Sequence, residues 1–490
     1  MDRVPTSQWV MRGLLLFVLA FTNFNDIWSP DVIPNALLPF TLVREGNVDY
    51  DEFVFRPNVT ELHEIAGANH IDSEAYFFRA CGVSTATEPP KAPRSKGGPP
   101  APGPNDHVCS VFPPGIGLLA LPFFLPSILT GAQALDLGLL LRVGHVAATF
   151  YETLAALLLW SVLRRIVTGR AAFALILLYY LGTSVRTVAS QALWQHAGAH
   201  LAIALALWLT VDERPRTLMR ELVTGFVLGL GSVVRQTTAL VSVGLAPSRG
   251  GWRPVAALAG GVLAGIAPLL IFNWIAYGSP IEQGYGVKPF DTPVLDGLVG
   301  LLFSPSRGLF VYEPWAALAL VSMVIARFAN TTRGRISETL SGLIVAWVVF
   351  LVVYSTYAEW WGGRVFGPRF LDDLAPVLVA GLAWGVKGGW FAFGPMRVLL
   401  WICAAWSLLI FNAAAFVYDQ KWDTVPVNVN DDPSRLFSWS DPQWLAVLRE
   451  VPNGGARVVA AVVLTLLTLA FLARVEGLLG RSGVVASSVP

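Results

Sequence analysis

The sequence predicts an all-α polytopic membrane protein, with about twelve transmembrane helices and a large extracytoplasmic first loop that carries juxtamembrane helices. Three observations support this prediction. Hydrophobic residues make up 54% of the 490 positions and charged residues only 14%, whereas charge is nearer a quarter in soluble enzymes. The 18 tryptophans suit a chain with two membrane interfaces. Apolar runs about as long as a membrane span recur along the sequence.

The first transmembrane helix is predicted within residues 1–24. Arg3 and Arg12 precede an apolar run, as in a signal peptide, but no small-residue cleavage site follows. We therefore expect an uncleaved span with its N-terminus in the cytoplasm. Residues 25–136 then form the extracytoplasmic loop, in which the Pro/Gly-rich stretch 87–105 is expected to be extended and mobile.

Later apolar runs predict the remaining spans. They lie near 137–163, 171–189, 194–211, 221–234, 236–247, 254–275, 313–328, 337–356, 372–388, 396–416 and 456–474. The runs on either side of Arg235 are short, which predicts helices that are tilted or broken there. Alternate connections are basic and are assigned to the cytoplasm. Counting Gly115–Gly131 as a span would place Arg164 and Arg165 outside, so we interpret it as a juxtamembrane helix.

This topology gathers the unusual polar residues on the extracytoplasmic face. The segments on that face are 25–136, 276–312, the turn at 357–371 and the loop at 417–455. The remaining parts are a transmembrane core at 137–275, the helices of 313–416, and a last helix with a cytoplasmic tail at 456–490. A formal net charge of +1 gives no support for a nucleic-acid partner. The sequence contains no zinc-type CxxC motif and no phosphate loop of the P-loop type.

Cysteines offer one predicted crosslink. Cys81 and Cys109 flank the Pro/Gly-rich stretch and would face an oxidising compartment. They form either a disulfide at the base of that stretch or two free thiols. Cys403 lies inside an apolar run and is interpreted as a small core residue.

The acids that follow the first span are the predicted catalytic groups. Asp31 lies between prolines close to the membrane, where a carboxylate usually has a function, and Asp26 either partners it or caps the loop. The alternative is a solvated loop. Further acids order this loop or bind a divalent cation, and no cofactor is otherwise predicted. They are Glu45, Asp49, Asp51 and Glu52.

Two candidate substrate-binding residues lie near span ends. Arg235 interrupts LGLGSVVRQTTALV, where an arginine pairs with an anion or lines a wet cavity. The alternative is a salt bridge to a loop carboxylate. His196 is either a hydrogen-bond donor to a sugar or phosphate or a structural histidine. His145 and Glu152 lie in one apolar run, where they could pair, and both are interpreted as structural residues.

The late motifs SPSRGLFVYEPW and YAEWWGGRVFGPRFLDD form the most informative group. Arg307, Arg364 and Arg369 carry the planar guanidinium that suits phosphate oxygens, and the adjacent glycines allow close backbone approach. Trp361 stacks on a sugar or lies against lipid, and Glu359 precedes it. An interfacial aromatic belt with snorkelling arginines is the alternative interpretation.

These motifs resemble the GT-C superfamily of polytopic glycosyltransferases, which includes protein O-mannosyltransferases and the aminoarabinose transferase of lipid A. The resemblance is carried by NDIWSPD, FPPGIGLLALPFF, SVVRQT, FNWIAYGSPIEQGY, SPSRGLFVYEPW and EWWGGRVFGPRF, in this order. It implies that Asp31 is the catalytic carboxylate, with Asp26 as the substitute. Tyr285, in FNWIAYGSPIEQGY, completes the predicted substrate-binding set.

The resemblance also implies a reaction. A sugar would move from a polyprenyl phosphate to a lipid, glycan or protein acceptor outside a bacterial inner membrane. Asp31 would activate the acceptor, and Arg235, Arg364 and Arg369 would stabilise the departing phosphate. The alternatives are a polysaccharide polymerase or ligase that depends on arginine and histidine, and a transporter.

Overall fold

A computed structural model describes residues 5–25, 29–55, 71–72, 75–82, 102, 106–247, 251–282, 284–285, 290–328 and 334–477. Asp26 and all of the stretch 87–105 except Pro102 lie outside the described residues. Within the described residues helices predominate, and the strands form two short pairs. The predicted helical fold class is confirmed in this coarse form.

The described residues of the first loop form two helices and two strand pairs. The elements up to its end are α1 (Thr6–Phe21), α2 (Ile33–Arg44), β1 (Val54–Phe55), β2 (Ile71–Asp72), β3 (Phe78–Cys81), β4 (His107–Ser110) and α3 (Gly115–Leu129). Strands β1 and β2 are parallel, whereas β3 and β4 are antiparallel, with Phe78 opposite Ser110. A disulfide joins Cys81 to Cys109, so the bridged alternative is the observed one.

The next apolar runs fold as helices of unequal length. They are α4 (Leu137–Ile166), α5 (Gly169–Leu181), α6 (His196–Thr210), α7 (Leu218–Val234), α8 (Val241–Leu245) and α9 (Trp252–Tyr277). Helix α7 ends just before Arg235, whose backbone is extended, and a 3-10 turn (Gln236–Leu240) precedes α8. The broken alternative predicted around Arg235 is therefore the observed one.

Ten further helices complete the described chain. They are α10 (Val294–Phe303), α11 (Leu309–Tyr312), α12 (Trp315–Phe328), α13 (Arg335–Ser355), α14 (Arg369–Asp372), α15 (Ala375–Lys387), α16 (Gly394–Val417), α17 (Lys421–Thr424), α18 (Gln443–Glu450) and α19 (Gly455–Val475). A 3-10 turn (Val451–Gly454) joins the last two, which makes one helical tract from Gln443 to Val475.

Five helical tracts of the described chain are long and apolar enough to cross a membrane, which identifies a membrane protein. They are Leu137–Ile166, Trp252–Tyr277, Arg335–Ser355, Gly394–Val417 and Gln443–Val475. Helices α5 and α15 have 13 residues each. A helix of that length extends only about 20 Å, less than the hydrocarbon core of a bilayer. The total of about twelve spans therefore stays a prediction.

Contacts between distant connections define one side of the molecule. Asp31 of the first loop contacts Arg369 beside the turn 357–371. Arg79 of β3 pairs with Glu282 of the segment after α9, at 3.1 Å. The Trp361 indole donates to Asn430 of the loop 417–455, at 3.0 Å. We call this side the loop face, and its orientation in the membrane stays a prediction.

Candidate functional site

Asp31 lies in a short helical turn at the entrance to α2. The turn, Pro30–Val32, leads directly into the helix, and Pro34 fixes the backbone of its first turn. The Asn35 amide donates to the Asp31 carbonyl at 3.3 Å and to the Leu193 carbonyl at 3.0 Å. The backbone of Asp31 is thereby tied to the segment that precedes α6.

Two side chains hold the Asp31 carboxylate. Nη2 of Arg369 donates to Oδ2 at 3.1 Å, and the Tyr76 hydroxyl donates to Oδ1. The Asp31 side chain keeps 19% exposure, so one edge of the carboxylate faces solvent. Desolvation and the Asp31 carboxylate raise the pKa of Tyr76 well above its usual range, whereas the cations of Arg369 and Arg364 lower it. Tyr76 therefore remains a neutral donor.

Arg369 connects Asp31 to a buried histidine. Its Nε donates to Nε2 of His196 at 3.0 Å, and the guanidinium lies over the Trp194 ring at 5.6 Å. On the other side of the imidazole, Nδ1 lies 2.7 Å from Oδ1 of Asp373. Because Nε2 accepts a hydrogen bond, the proton must be on Nδ1, where it is donated to Asp373. His196 is therefore held as a neutral imidazole.

Asp373 links this histidine to Arg235. Its Oδ2 accepts from Arg235 Nε, and Arg235 Nη2 donates to the Tyr354 hydroxyl at 3.2 Å. The loop-carboxylate alternative predicted for Arg235 is therefore the observed contact, with Asp373 as the carboxylate. The connected side chains and the neighbouring Arg364 form what we call the open cluster. Its members are Asp31, Tyr76, His196, Arg235, Arg364, Arg369 and Asp373.

Arg364 differs from the other cations of the open cluster. It is half-buried, and within the described part of the chain its guanidinium has no hydrogen-bond or ion-pair partner. Arg364 is nevertheless close enough to lower the pKa of Tyr76, whose hydroxyl donates to Asp31. The cluster holds two carboxylates and three guanidinium groups, so one positive charge is in excess. This excess is suited to an anion.

Three other predicted residues are not members of the open cluster. Tyr285 packs edge-on against Phe112 at 5.5 Å between ring centroids, and burial and the Asp31 carboxylate raise its pKa. Glu359 is half-buried in the turn 357–371. Trp361 is buried and its indole is committed to Asn430, which leaves little of the ring for a sugar. Their predicted binding roles stay predictions.

Arg307 lies outside the open cluster. Only 1% of its side chain is exposed, and Nη2 pairs with Asp423 at 2.6 Å. All five of its N–H groups are used inside the protein, so none is left for a substrate. The acceptors are Asp423, Gln443 and the carbonyl groups of Trp361, Gly363 and Ser306. We call Arg307, Asp423 and Gln443 the closed cluster.

The first-loop acids form a separate group. Asp49, Asp51 and His107 offer ligand atoms within 4.8 Å of one another, a set that a divalent cation could use. However, His107 Nδ1 lies 2.6 Å from Oδ2 of Asp51, so hydrogen bonding already holds the pair together. Burial, with a smaller effect of nearby carboxylates, raises the pKa of Glu52 to about 7. A divalent cation stays a prediction.

The pairing that the sequence allowed for His145 and Glu152 is not observed. Glu152 instead lies 2.9 Å from Nδ1 of His200 on α6 and accepts from the Tyr179 hydroxyl. His145 packs against the Phe21 ring. Residues seven positions apart on a helix are separated by about 10 Å, too far for a direct hydrogen bond.

Sequence reasoning missed Asp373 and Tyr76 as site residues. Asp373 had a usable signal, since a pair of acids directly before an apolar run is unusual in a membrane protein. Tyr76 had none, because its position depends on the strand pair β3–β4 that follows it.

No family model, curated protein sequence or solved structure matches this chain. A carboxylate, a neutral imidazole and an excess of guanidinium groups can hold an anion beside a proton acceptor.

Proposed function

We propose that this chain is a membrane glycosyltransferase of the GT-C type. It would transfer a sugar from a polyprenyl phosphate to a lipid, glycan or protein acceptor on the extracytoplasmic side of a bacterial inner membrane. The observation that carries the proposal is the contact of Asp31 with Arg369, beside Arg364, a cation that has no partner among the described residues. The proposal includes a total of about twelve transmembrane helices.

The arginines account for the donor phosphate. A guanidinium offers two parallel N–H groups to phosphate oxygens, and Arg364 has its donors uncommitted within the described residues. The phosphate gains negative charge as the sugar departs, so a fixed cation at this point stabilises the transition state more than the ground state. Arg369 lies on the same turn and would share the phosphate.

Asp31 accounts for the acceptor. Its carboxylate would take the proton of an acceptor hydroxyl or amine as that oxygen or nitrogen attacks the anomeric carbon. The bond from this carbon to the phosphate oxygen breaks, and the electron pair leaves with the phosphate. One displacement inverts the anomeric centre. A phosphate bound by Arg369 competes with Asp31 for the guanidinium, so donor binding would release the base.

The test uses the purified full chain in nanodiscs with a panel of polyprenyl-phosphate sugars and a bacterial lipid extract. We expect release of polyprenyl phosphate and a product with the opposite anomeric configuration, identified by mass spectrometry and NMR. If no donor of the panel released polyprenyl phosphate, the proposal would be contradicted.

A proton-coupled transporter is the second candidate, and one observation favours it. Glu152 and His200 are fully buried and in contact, on the apolar helices α4 and α6, as in a proton relay. Uptake of labelled sugars into proteoliposomes with accompanying proton flux would support the transporter. Release of polyprenyl phosphate without uptake of the labelled sugars would support the transferase.

A further inference from the structure

The backbone of residues 361–367 rests on the closed cluster. Arg307 Nε donates to the Trp361 carbonyl and Arg307 Nη2 to the Gly363 carbonyl, both at 3.2 Å. Arg307, which is buried and paired with an acid, thus also holds these two backbone carbonyl groups in place. The Asp423 carboxylate balances its charge.

Gln443 holds the next part of the same segment. Its Nε2 donates to the Val365 carbonyl at 2.8 Å, and its Oε1 accepts from the Gly367 amide at 3.2 Å. The amide side chain thereby bonds the backbone on both sides of Phe366, as a neighbouring strand would. Gln443 is fully buried, and Oε1 also accepts from Arg307 at 2.8 Å.

These contacts fall on alternate residues. The backbone groups of 361, 363, 365 and 367 face the closed cluster, whereas the Gly362 carbonyl faces the other way and accepts from Arg369 Nη1 at 3.1 Å. The segment therefore lies between the guanidinium groups of Arg307 and Arg369. Arg364 sits between two residues whose carbonyl groups are both held.

The segment needs such support because it is rich in glycine. Gly362, Gly363 and Gly367 adopt φ values of 75°, 78° and 75°, a region that glycine enters freely. Glycine also loses the most conformational entropy on folding, so the segment alone would sample many backbone conformations. Buried hydrogen bonds to its backbone select one of these conformations.

We propose that Gln443 is a positioning residue of the anion site. With Arg307 it fixes the backbone on both sides of Arg364, so that Arg364 and Arg369 address the same anion. Gln443 acts through these arginines and does not touch the substrate. The inference rests on the phosphate site of the proposed function, and its substrate class is that of a polyprenyl monophosphate.

The test compares Gln443→Met with Asn412→Leu in the full chain. Methionine keeps the volume and removes the hydrogen bonds. Asn412 is the matched control because it also accepts from a buried arginine (Arg186, 2.6 Å) and donates to a backbone carbonyl (Leu181, 2.9 Å), away from the segment. Hydrogen–deuterium exchange reports the backbone, and farnesyl phosphate is the binding probe.

We expect amide exchange in 361–371 to rise about tenfold in Gln443→Met and to stay unchanged in Asn412→Leu. The dissociation constant for farnesyl phosphate should rise several-fold in Gln443→Met alone. In an Arg364→Met, Arg369→Met background, Gln443→Met should have no further effect on binding, which a merely structural role would not produce.

Unchanged exchange in 361–371, or an equal binding loss in the arginine-free background, would overturn the positioning role. A wild-type chain that does not bind farnesyl phosphate would overturn the proposed function instead. If Gln443→Met does not fold, Gln443→Asn, which is one methylene shorter, is measured in the same way.

Discussion

Two arginine clusters of this molecule lie on either side of one glycine-rich segment and differ in one respect. In the closed cluster, every N–H group of Arg307 has an acceptor inside the protein. In the open cluster, Arg364 has no partner among the described residues, and Arg369 shares Asp31 with Tyr76. Both clusters are built on arginine, but they differ in how many hydrogen-bond acceptors surround the guanidinium groups.

The difference shows that an arginine can bind an added anion when some of its N–H groups have no hydrogen-bond acceptor inside the protein. A buried charge with all its hydrogen bonds made contributes a fixed geometry, and removing its partner leaves an expensive unpaired group. A half-buried cation with free donors contributes little to folding and can bind an incoming anion at low cost. Stability and binding should therefore respond to different substitutions in the two clusters.

The largest effect is expected in the open cluster, from Asp31→Asn. The amide keeps the shape but cannot take the acceptor proton, so sugar transfer should fall about 10³-fold, within the usual range for a general base. Farnesyl phosphate should bind at least as tightly as in wild type, because no carboxylate then competes for Arg369. The matched control is Asp296→Asn, an exposed acid of α10. Full transfer by Asp31→Asn would exclude the base assignment and favour a polymerase or ligase.

The second largest effect is expected in the closed cluster, from Arg307→Met. This change leaves Asp423 buried without its cation, and we expect a loss of about 3–5 kcal/mol in the free energy of unfolding. Arg364→Met should change the same quantity by less than about 0.5 kcal/mol. Unfolding in a denaturing detergent measures both. Asp423→Asn should restore part of the loss in Arg307→Met; equal losses at Arg307 and Arg364 would erase the distinction between the clusters.

The apolar helices were the predictable part of this molecule. A run such as 137–163 needs only local information, and it appears as Leu137–Ile166. The break at Arg235 was also predictable, because a charge interrupts the run. The contacts of the arginines were not: Asp31 and Arg369 are 338 residues apart, and Arg307 and Asp423 are 116 apart. Local patterns do not specify which acid meets which arginine, so Arg307 and Arg364 looked equivalent in the sequence.

A smaller effect is expected from Arg364→Met on binding. Loss of a charge-assisted hydrogen bond should weaken farnesyl phosphate binding by about 10–100-fold. Arg307→Met, assayed in the fraction that remains folded, should lose affinity only through displacement of the segment 361–367. Isothermal titration in nanodiscs gives both values. Wild-type affinity in Arg364→Met would mean that Arg364 is not part of the anion site.

The smallest effect is expected from Tyr76→Phe. This change removes one of the two donors on Asp31 and leaves Arg369 in place, so transfer should fall by about 10-fold, at the low end for one hydrogen bond to a charged group. The control is Tyr151→Phe, whose hydroxyl donates to the Leu119 carbonyl. A Tyr76→Phe loss as large as that of Asp31→Asn would give Tyr76 a catalytic role of its own.

The most direct test of the difference between the clusters is a density map of the full chain in nanodiscs with a saturating polyprenyl phosphate. We predict phosphate density within about 3 Å of guanidinium nitrogens of Arg364 and Arg369, with Asp31 beside it. Arg307 should keep its partners unchanged. Phosphate density away from Arg364, or bound on the side opposite the loop face, would contradict the account.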